Sequence, residues 1–376
     1  MVKNPSDYRV LTLSPGSTST KVAIFQGNEC LFKVGVTHDS EKLKSFAEII
    51  EQFDYRLQTI LDEVTKAGYD VEDIDAFAAY SGALVGSAAG IYPVNEKILE
   101  HSREGHTAKH PAMLGALLVD ALANKKGVPA YVIDHPDSDE FQDLARVTGM
   151  PGVYRQSKIH VLNQKAVARR AAEELGKTYD SGNYIVAHVG GGLSVACHQQ
   201  GRIVDGNDVI NGAGPMAPNR SGDVPAGDII RMCFSGKYTE RQMKEKVGKT
   251  GGLLGHLGTD DTRAIVQRIA EGDQYAALIF DGMAYQLAKA IGGFASVLEG
   301  KVDAIVLTGG VSNNLHFVEE VSKRVCWIAP VKVYAGDFEM EALAAGAIRA
   351  LTGQEETKEY TGEPTWNGFP YAPDFD

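Results

Sequence analysis

The stretch 11-LTLSPGSTSTKVAIF-25 sets the reading of the whole chain. Two apolar, β-prone segments flank Pro15-Gly16 and a run of hydroxyl residues that ends in Lys21. The spacing predicts two strands around a tight turn. Such a turn exposes successive backbone N–H groups; Gly16 permits close approach, Ser17 and Ser19 add hydroxyls, and Lys21 adds positive charge, which together suit a phosphate. The GxxxxGK[ST] spacing and the helix that would follow it are both absent, so this is not a Walker A loop.

Outward from this hairpin, "ECLFKVGVTH" reads as a third strand. Phe46, Ile49, Ile50, Phe53 and Leu57 have helical spacing. "IDAFAAYSG" is a strand ending in a loop, and "PAMLGALLVDALANKKG" a helix between Pro111 and Gly127. "PAYVID" is a buried strand and "NQKAVARRAAEELG" a helix closed by Gly176. The order implies a mixed sheet with helices on both faces. After the polar stretch 176–183 the pattern restarts in "YIVAHVGGGLSVACHQQGRIVDG". Gly16 falls on Gly190 and Gly27 on Gly201, and Thr20, Val22 and Ile24 fall on Ser194, Ala196 and His198, all 174 residues on. This predicts two related α/β domains, 1–181 and 182–376, each opening on such a hairpin, with the final helix near 339–351 packing back on the first. Gly190, Gly191 and Gly192 form a second candidate phosphate turn with His188 beside them; "LTGGVSNN" (307–314), with Gly309, Gly310 and Asn313, is a third. Three such turns predict a nucleotide cleft between the domains. The tail after residue 353 carries Tyr360, Trp366, Phe369, Tyr371 and Phe375 and reads as irregular and docked.

The formal charge of -12 argues against non-specific binding to nucleic acid or anionic membrane. Cys30, Cys197, Cys233 and Cys326 show no metal-ligand spacing; two disulfides are possible, but free thiols in a reducing cytoplasm are the expectation. The N-terminal residues lack a signal-peptide core, and no segment reaches the roughly 18 apolar residues of a membrane span.

Taken together, "SPGSTSTK", "HVGGGLSV", "GPMAPNRSGDVP", "FSGKYT", "GGLLGHLGTDDTRAI" and "IVLTGGVSNN" resemble the acetate and butyrate kinase family, its butyrate kinase branch above all, within the actin-like superfamily. The resemblance implies duplicated actin-like (ribonuclease H-like) domains with mixed sheets. It also implies a cytoplasmic homo-oligomer that uses ATP/ADP and Mg²⁺ for reversible phosphoryl transfer to a short-chain fatty acid. By the same resemblance Asp134, His160 and Arg220 are catalytic, Asp261 and Arg263 lie near adenosine with Gly309 and Gly310, and Ser14 and Glu339 serve the metal, with Glu341 as the alternative to Glu339. Four positions depart from the family: Ser14 replaces Asn, Tyr80 stands where an arginine meets the substrate carboxylate, "DHPDSDEF" (134–141) is polar where the family is Val-rich, and Met113 replaces Asn. These leave open a second reading, a kinase-like nucleotide-binding protein with an altered acceptor or weak catalysis.

Overall fold

In the computed structural model, which describes residues 3–373, the opening stretch forms strands β1 (Arg9–Pro15) and β2 (Ser19–Gln26), paired antiparallel from Arg9↔Gln26 to Pro15↔Thr20. β3 (Glu29–Thr37) continues the meander. Three more strands, β4 (Ala76–Ala79), β5 (Ile91–Pro93) and β6 (Ala130–Ile133), complete a sheet of order β3-β2-β1-β4-β6-β5. β4 lies parallel to β1, and β6 parallel to β4. A second sheet contains β7 (Asn183–Val189), β8 (Leu193–Gln199), β9 (Arg202–Gly206), β10 (Ala304–Gly309) and β11 (Val331–Ala335), in the order β11-β10-β7-β8-β9. Its strand senses repeat those of the first: antiparallel β7–β8–β9, then β10 parallel to β7 and β11 parallel to β10. Both meanders carry a register shift near the same point, Ile24/Phe25 and Cys197/His198, one residue apart on the sequence offset. The 174-residue offset in the sequence is thus matched by a repeated topology, an α/β fold with two mixed sheets; only the edge strand β5 is extra.

Side-chain alternation divides each sheet into two faces. Leu11, Leu13, Val22, Ile24 and Phe77 pack with Ile60 and Val64 of helix Phe53–Lys66 and with Leu114, Leu118 and Leu122 of helix Leu114–Lys126. The opposite face, with Val10, Thr12, Ala23 and Phe25, is equally buried, and helix Glu339–Leu351 packs on β1, β2, β4 and β6. In the second sheet, Ile185, Ala187, Val195 and Leu307 meet Phe280, Met283, Leu287 and Ile291 of helix Gln274–Val297. Helix Val161–Glu174 packs on β7 and β10.

The compact units differ from the boundary expected at 181/182. One runs to Asp139 and resumes over Phe338–Asn367; the other comprises Glu140–Asp337 and the residues from Gly368. The correction comes from helix Val161–Glu174, which joins the second sheet. A second difference lies in the stretch 41–68, whose helical spacing at Phe46, Ile49, Ile50, Phe53 and Leu57 implied one helix. A short helix, Ser40–Lys44, is followed by a single 3-10 turn, Ile49–Gln52, before Phe53–Lys66. The Glu51 carboxylate accepts the N–H groups of Ala47 and Glu48 at 2.8 and 3.3 Å, which caps a new helix start. In the tail, Tyr360 is buried and its hydroxyl accepts the Val85 N–H at 2.9 Å; Phe369 packs edge-on to Tyr154; Phe375 lies outside the described residues.

Candidate functional site

The first hairpin closes with a Gly16 N–H bond to the Ser19 carbonyl, 2.8 Å, leaving Ser17 and Thr18 exposed. Ser17 Oγ lies 3.2 Å from His110 Nε2. Beneath the turn sits a residue that sequence reasoning missed. Arg56 is fully buried, and its guanidinium donates to Thr20 Oγ1, the Ser19 carbonyl and Gln52 Oε1 at 2.9–3.2 Å. Burial lowers the Arg56 pKa, and the group also holds His38 down to about 4 together with that residue's own burial. A buried guanidinium bonded to neutral oxygens gives the turn a positive field.

Ser14 and Lys21 are direct partners across β1–β2, so both side chains leave the same face. Lys21 Nζ lies 3.5 Å from Glu339 Oε2, which brings Glu339 to that face; Glu341 instead meets Lys33 on β3 at 2.9 Å. Among the described residues no group of three or more His, Cys, Asp or Glu could hold a metal ion. A hydroxyl and one carboxylate nevertheless fit Mg²⁺, a hard ion that keeps several waters and takes the rest of its oxygens from phosphates.

Asp134 follows β6 with φ +41°, a left-handed conformation uncommon outside glycine, and its side chain is buried. Its N–H donates to the Gly90 carbonyl, 2.9 Å. The polar residues after it brace the loop beyond β4. His135 Nε2 meets Ser87 Oγ at 2.6 Å, Asp137 Oδ2 accepts the Leu84 N–H at 3.2 Å, and the Asp139 N–H donates to the Ser87 carbonyl at 2.9 Å. These groups are turned to the loop Leu84–Ser87, a structural reason for the polar stretch. Met113 is core. Tyr80 is half-buried at the end of β4, its N–H bonded to the Leu13 carbonyl.

The second hairpin gathers the remaining chemistry. Thr308, His188 and Ser194 are adjacent across β10–β7–β8, on the face toward helix Val161–Glu174. The His160 ring, at the helix start, stacks on His188 with centroids 4.1 Å apart, and its Nδ1 lies 2.8 Å from Ser194 Oγ. Asn163 Nδ2 donates to His188 Nδ1 at 2.8 Å. Burial, with His188 and Arg220 adding their charge, holds His160 well below the usual imidazole range, so the ring is neutral near pH 7. Arg220 Nη1 donates to the Val209 carbonyl at 3.1 Å. Burial lowers the Arg220 pKa while Asp208 opposes the shift; a guanidinium stays charged regardless.

The glycines of this turn make room for protein groups. A Cβ on Gly192 would lie 2.2 Å from Arg220 Nη1, and one on Gly191 would lie 3.2 Å from Asn219 Nδ2. Only glycine at 192 lets the guanidinium lie against the turn. Gly192→Ala is therefore expected to displace it and cut kcat by about tenfold or more, in proportion to a misplaced charged donor, with little change in melting temperature. Parallel turnover and melting measurements check this; a folded, fully active variant would show that the seat is irrelevant.

Gly309 ends β10 at φ +89°, and a Cβ there would meet the Val189 carbonyl oxygen at 2.4 Å. Gly310 is exposed with open space beside it, and Asn313 Nδ2 donates to the Gly310 carbonyl. Asp261 caps helix Thr262–Ala270, accepting the Arg263 N–H at 3.0 Å, and the exposed Arg263 side chain folds back on it at 3.2–3.3 Å. The Asn219 side chain reaches Asp260 at 3.3 Å, linking the Arg220 loop to this segment.

Comparison with known proteins gives this geometry its context. The acetokinase family profile matches residues 150–347. Butyrate kinase 2 and butyrate kinase 1 of Clostridium acetobutylicum are each 42% identical over 353 residues, 94% of this chain and 99% of theirs. The crystal structure of Porphyromonas gingivalis acetate kinase has a TM-score of 0.75 at 21% identity, covering 92% of this chain and 99% of that one. A propionate kinase from Francisella tularensis has a TM-score of 0.71 at 18% identity, covering 90% and 98%. At those identities the solved structures show a shared fold. The family profile and the relatives matched along nearly the whole length show more: the chain belongs to the acetokinase family.

Proposed function

We propose that this protein is an ATP-dependent carboxylate kinase that moves the γ-phosphoryl of ATP reversibly to a short-chain fatty acid, with butyrate the first acceptor to test. The observation that carries the reading is the Arg220 guanidinium seated at Gly192, in the same cluster as the neutral His160 imidazole and the His188 ring stacked on it. Phosphoryl transfer asks for aligned reactants and cancelled negative charge more than for a strong base. A carboxylate of ordinary pKa about 4 is already ionised at pH 7 and serves directly as nucleophile. Arg220 meets the charge that develops on the transferred phosphoryl, and His160 offers it a neutral hydrogen bond. Asp134 takes the catalytic aspartate's role, supported by its burial and left-handed backbone at a strand end. Gly190, Gly309, Gly310 and the Asp261–Arg263 pair belong to the nucleotide, and the Gly16–Lys21 turn to a phosphate. Mg²⁺, when bound with the nucleotide, neutralises phosphate charge; Ser14 and Glu339 are the residues that would hold it. No helix among the described residues is long and apolar enough to cross a membrane. An acceptor screen with ATP and Mg²⁺, trapping acyl phosphates with hydroxylamine, tests the proposal; no trapped product with any C2–C6 acid would refute it.

Tyr80 favours a second reading, in which the acceptor is not a simple short-chain acid, because a neutral phenol cannot grip a carboxylate as a guanidinium does. On that reading butyrate is a poor substrate and Tyr80→Arg raises kcat/KM for it by about ten- to a hundredfold, the worth of one charge-assisted hydrogen bond. A wild type already fast on butyrate and unmoved by the substitution would remove Tyr80 from acceptor binding.

A further inference from the structure

A polar chain runs through the buried face of the second sheet and ends on His160. Tyr179 Oη lies 2.8 Å from His198 Nδ1, His198 Nε2 lies 3.0 Å from Gln164 Oε1, and Gln164 Nε2 lies 2.8 Å from Ser194 Oγ. Ser194 Oγ in turn lies 2.8 Å from His160 Nδ1. The directions of its hydrogens follow from one atom together with the burial of His198 and Ser194. Gln164 also faces the Ser194 carbonyl oxygen at 3.2 Å. A carbonyl can only accept, so the amide must present its NH₂ to Ser194 and its oxygen to His198.

The rest is forced outward from there. His198 must donate from Nε2 to Gln164 Oε1. Burial, with Lys165 and Arg169 adding charge, drives His198 down to about 3, so it is neutral, its Nδ1 carries no hydrogen, and Tyr179 donates to it. On the other side, Ser194 Oγ receives a hydrogen from Gln164. Ser194 is fully buried, and among the described residues its hydroxyl has only Gln164 and His160 as partners. Were His160 Nδ1 to carry a hydrogen, the hydroxyl's own hydrogen would be buried without an acceptor, which is costly. Ser194 therefore donates to His160 Nδ1, and the neutral ring keeps its proton on Nε2.

We propose that Tyr179, His198, Gln164 and Ser194 form a tautomer lock that fixes His160 as an Nε2–H donor for the transferred phosphoryl, with Gln164 as the positioning residue. The catalytic half of this rests on the function proposed above; the lock itself does not. An imidazole in the other tautomer would turn a lone pair on anionic phosphoryl oxygens instead of a hydrogen. The ring is half-buried and its Nε2 has no partner among the described residues, which leaves that edge to a ligand. His188, stacked alongside with Nδ1 held by Asn163, fixes the plane of the ring.

Long-range proton–nitrogen NMR of histidine-labelled protein reads the tautomer directly, with His160→Gln supplying the assignment. The wild type is expected to show His160 protonated on Nε2 alone. Gln164→Met removes the directing amide at similar volume. It should give a mixture of tautomers and lower kcat by about five- to tenfold, the worth of one ordinary hydrogen bond, with KM for ATP unchanged. Ser194→Ala should act likewise and replaces Gln164→Met if that variant does not fold. A wild-type ring protonated on Nδ1, or a Gln164→Met ring still wholly Nε2–H, overturns the lock. A tautomer mixture with undiminished kcat overturns its catalytic purpose. Absence of phosphoryl transfer to any carboxylate defeats the proposed function instead, and the spectrum still decides the lock.

Discussion

Arg220→Ala is expected to lower kcat/KM for phosphoryl transfer by about a hundredfold or more, as loss of a transition-state charge partner does. The effect should fall on kcat with little change in nucleotide KM, because the guanidinium answers charge that grows during transfer. The fold should survive. The Arg220 carbonyl, which accepts the Ala217 N–H at 3.1 Å, is kept by alanine, and among the described residues the side chain makes one hydrogen bond, to the Val209 carbonyl, with Asp208 as a neighbouring charge. Arg220→Lys should recover part of the loss, since an ammonium supplies the charge but not the planar fork. Steady-state kinetics beside a thermal melt separates the cases. A folded alanine variant with unchanged turnover would take Arg220 out of the mechanism.

The second large effect is on acid stability. His38 is held at about 4 by burial and by Arg56, and His198 at about 3 by burial and by Lys165 and Arg169. An unfolded histidine takes up its proton near pH 6.5, so between that pH and the folded values the unfolded chain binds more protons than the native one. Stability is therefore complete above about pH 6.5 and is lost as pH falls through that window. At pH 5, about 1.5 pH units into it, each residue subtracts about 2 kcal/mol. His160, lowered for the same reasons of burial and neighbouring charge, acts with the same sign. Since His38 and His198 belong to different compact units, urea midpoints of both should drop between pH 7 and pH 5. Midpoints independent of pH over that range would mean that these rings are protonated in the native state.

The fold was legible to the extent that it repeats. Gly16 and Gly190 mark the same turn in two meanders of the same strand order, and alternation over Leu11, Leu13, Val22 and Ile24 assigns their shared face. The unit boundary was not legible, because the apolar positions of helix Val161–Glu174 say that it packs but not on which sheet. Among site residues, His160, His188 and Arg220 do fall together. Arg56 could not be found from pattern, since Thr20 is brought to it by the fold, and a Gln four residues earlier does not by itself mark a buried guanidinium without a carboxylate. Ser194 and His198 were visible as repeat partners of Thr20 and Ile24, but a role for them needed the hydrogen bonds of Gln164, which sequence does not direct.

The helix Glu339–Leu351 belongs to a sheet whose first strand begins at Arg9. On a ribosome these parts emerge far apart in time. At about 5–20 residues per second, the roughly 200 residues between the two segments of the first unit take on the order of ten to forty seconds to synthesise. Throughout that interval Val10, Thr12, Ala23 and Phe25 have no helix to cover them, and this half of the nascent chain needs shielding from its neighbours. The half made later has all of its principal strands and helices in one continuous run. It can be finished first, while the half made earlier waits with one face of its sheet bare.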